Sequence, residues 1–182
     1  GELIYTNQDF DSAIVLILES SVASLLFMPG GYAIALETLA PLVFKEKKRS
    51  LNPISDKKLW KDIRLEILGV INKFRESHPK HDYDLLSNKV DGLNRTSNRN
   101  ILKAPFEFLD IQLLDADETI IETRNNFLHG TAPDLTGTGE ERTTDRLNSD
   151  LYYSALRLST LLSMLILKWV GYDNYVLNYP KI

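Results

Sequence analysis

The chain has 182 residues and a mass of 20.8 kDa, the length of one ordinary domain. Hydrophobic residues at 43% and charged residues at 25% exclude a disordered or fibrous polypeptide. With no cysteine, disulfides, thiolate metal ligands and cysteine nucleophiles are excluded together. The net charge of -4 argues against a protein that coats itself with nucleic acid, but the charge is unevenly placed. From Lys45 to Lys103 there are 15 basic against 8 acidic residues, a balance of +7, and the remainder carries -11. The middle third is basic and the flanks are acidic.

The longest uncharged run, Ser20 to Leu36, is shorter than the ~20 residues of a membrane span and is interrupted by Pro29-Gly30-Gly31. No basic segment followed by an apolar signal region is present, so the expected location is cytoplasmic, away from membranes. A first residue of Gly rather than Met fits the C-terminal part of a larger protein, with residues 1–182 as a single domain.

Helical periodicity dominates. Dense apolar residues predict a helix from Asp11 to about Met28, a break at Pro29-Gly30-Gly31, and a second helix from about Tyr32 to Phe44. A basic connector, Lys45 to Arg49, follows. Ser55 or Asp56 caps a third helix whose apolar positions Trp60, Ile63, Ile67, Ile71 and Phe74 step by three and four. Lys61, Arg64 and Lys73 lie on its other face, and it ends before Pro79. The Asn-rich stretch from His81 to Lys103 reads as a short helix and a loop, with Asn94-Arg95-Thr96 a chance glycosylation sequon.

Pro105 suits the first turn of a short helix to about Leu113. Asp115 and Glu118 have capping-box spacing for the next helix, which runs to His129 and stops at Gly130. Thr131 to Thr144 reads as a long loop. In the last helix Leu151, Ala155, Leu158, Leu162, Leu165 and Trp169 alternate steps of four and three, with Tyr152, Leu156 and Ile166 on an adjoining face. No useful strand alternation occurs. The expected fold is an all-α bundle of about four to six helices with a long C-terminal helix.

The helix from Asp115 carries the chemistry. At about 100° per residue, Leu113, Ile120, Ile121, Phe127 and Leu128 form its buried stripe, and Arg124 falls inside that stripe. A buried guanidinium requires a carboxylate, a backbone carbonyl or a bound phosphate. Glu37 and Glu19 are the candidate carboxylates. Glu118, Glu122, Asn125 and His129 make a polar stripe opposite, with both Glu expected to face water near the helix N-terminus. His129 suits either a stabiliser of the helix C-terminus or a reacting group.

The string Arg124-Asn125-Asn126-Phe127-Leu128-His129-Gly130 resembles the RNxxxH signature of the HEPN superfamily, all-α bundles in which that motif often forms a metal-independent ribonuclease site. Leu93 to Gly130, with Asn94, Asn98 and Pro105-Phe106-Glu107, is similar to the branch found in bacterial abortive-infection and antiphage proteins. The resemblance implies an endoribonuclease acting on single-stranded RNA in defence or stress response, without cofactor or metal. His129 would move protons at the ribose 2′-hydroxyl or leaving oxygen, Arg124 would hold the phosphate, and Asn125 would orient the imidazole or ribose. Glu37, Glu122 and Asn126 are supporting candidates, and Lys45, Lys47, Lys48, Arg49, Arg95 and Arg99 are candidates for an RNA approach.

Arg124 and His129 differ by about 140° on an ideal helix and do not readily grip one phosphate. The helix must unwind at His129, or two chains must cooperate. HEPN ribonucleases commonly pair about a two-fold axis, so the resemblance implies a homodimer with a composite site. Where some members carry a tyrosine modified by a partner nucleotidyltransferase, two residues after the histidine, this chain has Thr131. An alternative within the same resemblance is a noncatalytic module for nucleotide or RNA binding, or for dimerisation.

Overall fold

A computed structural model describes residues 7–47, 50–129, 131 and 143–172. Among the described residues there is no strand, and the fold is an all-α bundle with a long C-terminal helix. Helices α1 (Gln8–Ser21) and α2 (Met28–Lys47) are followed by α3 (Lys57–Ser77), α4 (Tyr83–Gly92) and α5 (Asn98–Phe108). Then come α6 (Asp115–Thr123), the single turn α7 (Asn125–Leu128) and the 26-residue α8 (Thr144–Trp169). No described helix is long and apolar enough to cross a membrane. The chain divides into two compact units, one made of residues 1–48 and 101–182 and the other of residues 49–100. The second unit holds most of the basic segment.

In the discontinuous unit, α2 packs on α1, α7 and α8, and α6 packs on α8. Leu36, Leu39, Ile120, Ile121, Leu158 and Leu162 are fully buried between these helices. Phe10 of α1 meets Trp169 of α8 edge to face, with ring centroids 5.5 Å apart. The final helix buries Leu151, Ala155, Leu158, Leu162, Leu165 and Trp169 against its neighbours, whereas Tyr152 on its adjoining face is exposed.

Pro29-Gly30-Gly31 does not break the chain as expected. The break lies at residues 22–27, and the three residues form the first turn of α2, where an absent proline N–H costs nothing. The glycines serve packing instead. A Cβ on Gly31 would stand 1.9 Å from Ser20 Oγ, so the missing side chain lets α1 and α2 close up. Pro105, also expected in a first turn, lies well inside α5, which starts at Asn98 with Ser97 Oγ accepting from the Asn100 N–H at 3.2 Å.

The second unit is an antiparallel pair, α3 and α4. Asp56 caps α3 by accepting from the Lys58 and Leu59 N–H groups at 2.8 and 3.1 Å. Arg64 reaches Asp91 at 2.5 Å and Arg75 reaches Asp84, while the Tyr83 hydroxyl donates to the Phe74 carbonyl at 3.2 Å. The bond from Arg64 holds the exposed Asp91 carboxyl below its ordinary pKa. The apolar stripe on α3 is only partly covered: Trp60, Ile63, Ile67 and Ile71 are half-buried, Phe74 is more than half exposed, and no α3 residue is fully buried. Asn94 is buried, accepting from the Ile54 N–H at 2.8 Å and donating to the Ile54 carbonyl at 2.9 Å. Its amide, part of the sequon and of the stretch that suggested a family, ties the unit's first loop to its last.

Candidate functional site: the α6–α7 corner

The corner is built on a buried carboxylate. Asp117 accepts the Leu114 N–H on Oδ2 at 2.9 Å and the Arg157 guanidinium on Oδ1 at 2.9 Å, so one side chain both caps α6 and fastens it to α8. The expected box of Asp115 and Glu118 is displaced by one residue. Leu114 occupies the N-cap and offers no side-chain acceptor, leaving Asp117 at N3 to make the half of the box that a carboxylate can make.

The helix expected to run unbroken to His129 is interrupted at Arg124, which keeps helical dihedrals of -52° and -32° between α6 and α7. Here the backbone tightens. The Phe127 N–H bonds to the Arg124 carbonyl and the His129 N–H to the Asn126 carbonyl, each at 3.1 Å across three residues. A six-to-one bond from the Thr131 N–H to the Asn126 carbonyl, 2.8 Å, then closes the end. The same bond ends α5, from Ile111 to Phe106, and α8, from Tyr172 to Leu167, where Asp110 and Gly171 adopt φ of 54° and 83°.

Arg124 lies on the apolar side as its position on the wheel requires, with 5% of its surface exposed. Its Nε donates to Glu37 Oε1 of α2 at 2.7 Å and its Nη1 to the Ile121 carbonyl at 3.2 Å. Of the two carboxylates considered, Glu37 is the partner, and Glu19 is an exposed residue of α1. The Glu37 side chain keeps 39% exposure, so the pair runs from the interior to the surface with the carboxylate outward.

Asn125, Asn126 and His129 are exposed. His129 is the C-cap of α7, with φ of -100° and ψ of 11°. The two Glu of the polar stripe do not simply face water. Lys103 of α5 donates to Glu118 and, at 2.8 Å, to Glu122, while its own side chain is only 12% exposed. Burial opposes the charge on Lys103, but the two carboxylates outweigh it and hold the ammonium above its ordinary pKa. A raised value in the folded state means that this bridge stabilises the fold fully below the unfolded lysine pKa and loses its effect as pH rises through the folded one. Urea melts of wild type and Lys103→Gln should therefore differ at neutral pH and converge in strongly alkaline buffer. A difference that stays constant up to that range would exclude the bridge as its source.

The residues proposed for an RNA approach fall in different units. Lys45 is exposed on α2 in the discontinuous unit, and Arg95 and Arg99 are exposed in the second unit. Lys47 belongs to the last turn of α2, while Lys48 and Arg49 lie outside the described residues, as does most of the loop expected between Thr131 and Thr144. Lys103, the last cation of the basic segment, is committed to Glu118 and Glu122. Sequence reading missed both Lys103 and Arg157 as organisers of the corner, and no local spacing links them to partners 15 to 40 positions away.

Among the described residues no group of three His, Asp or Glu is placed to hold a metal ion. No protein-family model, curated protein or solved structure matches the chain.

Proposed function

We propose that the α6–α7 corner is a ribonuclease site of the HEPN type, cleaving single-stranded RNA by attack of the ribose 2′-hydroxyl without a metal, in a defence or stress-response setting. The observation that carries this reading is the exposed His129, with exposed Asn125 one turn earlier, on a corner locked from inside by Arg124 and Glu37. Such an imidazole can take the proton from the 2′-hydroxyl or return one to the leaving oxygen. Asn125 orients the ribose or the ring. The two functions divided between His129 and Arg124 meet on one phosphate when two copies bring their corners together, so the proposed active form is a homodimer.

The buried guanidinium favours a second reading. An arginine already satisfied by a carboxylate and a carbonyl has less to offer a phosphate, as a noncatalytic RNA-binding or dimerisation module would have it. Incubation of the purified chain with single-stranded RNA in EDTA decides between them. Cleavage that leaves 2′,3′-cyclic phosphate ends, and spares a strand with 2′-deoxyribose, is the expected result. Saturable binding without turnover establishes the module and removes the enzyme.

A further inference from the structure

Beside the corner, α2 and the turn before it enclose an apolar cleft of about 230 Å³. Leu26, Phe27, Gly30, Gly31 and Ile34 line it together with Phe127 and Leu128 of α7. Every lining residue belongs to the discontinuous unit. Phe127 is buried, whereas Phe27 is 70% exposed, an aromatic ring left in water at the rim. Gly30 faces α7 across this cleft, where a Cβ on it would stand 3.7 Å from the Phe127 carbonyl oxygen.

We propose that this cleft is a base-binding subsite that takes one unpaired nucleobase of single-stranded RNA, stacked on Phe27. The proposal rests on the ribonuclease reading and supplies its substrate contact. The volume is below the roughly 300–1,000 Å³ of cavities that hold drug-sized ligands, which suits a single heterocycle. A bare apolar lining with an exposed aromatic edge offers stacking to any base and hydrogen-bond readout to none, the mode of sequence-tolerant single-strand binding. The position agrees. Leu128 lines the cleft and His129 is the next residue, so the cleft adjoins the corner proposed to take the phosphate. A base in a duplex is already stacked and paired and does not enter, so the cleft makes the site selective for single strands.

The test is fluorescence anisotropy with a labelled 2′-O-methyl adenosine octamer, which binds but lacks the attacking hydroxyl, against an abasic strand of the same backbone. Wild type should bind the base-bearing strand more tightly. Phe27→Ala should weaken that strand about tenfold, leave the abasic strand unchanged, and be rescued by Phe27→Trp. Equal binding of both strands by wild type, or equal effects of Phe27→Ala on both, overturns the subsite. So does a variant that binds RNA normally but changes only its oligomeric state in sedimentation, which assigns the cleft to a second copy. Cleavage that depends on His129 but is indifferent to Phe27 removes the subsite and keeps the ribonuclease. Phe27-dependent binding without cleavage removes the ribonuclease and keeps the subsite.

Discussion

His129→Ala is expected to lower the initial rate of RNA cleavage in EDTA by about 10²- to 10⁴-fold, the range that one positioned acid or base contributes. The fold should hardly register the change. His129 is exposed at the C-cap of α7, and its recorded bonds are made by the backbone N–H, which alanine retains. Substitutions at such sites usually stay within about 0.5 kcal/mol, which in a chain of this size moves the melting temperature by one or two degrees at most. The informative result is the separation of the two readouts. Cleavage unaffected by the substitution excludes the histidine, and a matched loss of stability and rate assigns it to the scaffold.

The largest stability effect belongs to the pair beneath it, and the pair is asymmetric. Arg124 is enclosed, with 6% of its side chain exposed, whereas Glu37 retains 39%. Glu37→Ala strands a guanidinium in the interior and should cost about 3 kcal/mol or more. Arg124→Met fills similar space and leaves behind a carboxylate that water can reach, so about 1 kcal/mol is expected. Urea denaturation of the two variants checks the order, and equal losses would show that the interior does not enclose the guanidinium as described. Activity adds a second axis. If Arg124 also serves the phosphate, folded Arg124→Met loses cleavage as His129→Ala does; if its work is to fix the corner, the methionine variant keeps much of its rate.

The sequence disclosed those features whose causes are local. The wheel position of Arg124, the cap at Asp56 and the buried stripe of the final helix all follow from spacing along a few turns. It misplaced features that local rules leave open. Pro29-Gly30-Gly31 is as consistent with the start of a helix as with its interruption, and only the contact with Ser20 distinguishes them. Glu118 and Glu122 read as solvated because nothing nearby in the chain announces Lys103. The same limit applies to the corner: the motif nominates Arg124, Asn125 and His129, but the exposure of two and the burial of the third are products of packing against α2.

The contact between Gly31 and Ser20 also makes the effect of a substitution at one position depend on the residue at the other. Replacing Ser20 by alanine first removes the Oγ that stands 1.9 Å from a future Cβ, together with its bond to the Leu16 carbonyl, and leaves a carbon at 3.1 Å that must yield by only tenths of an ångström. Alanine at position 31 then brings its better helix propensity, about 1 kcal/mol, into play. The reverse route begins with a steric collision. Two residues eleven positions apart are thus coupled: alanine at 31 requires that the Ser20 Oγ be absent or turned away from the Leu16 carbonyl it bonds.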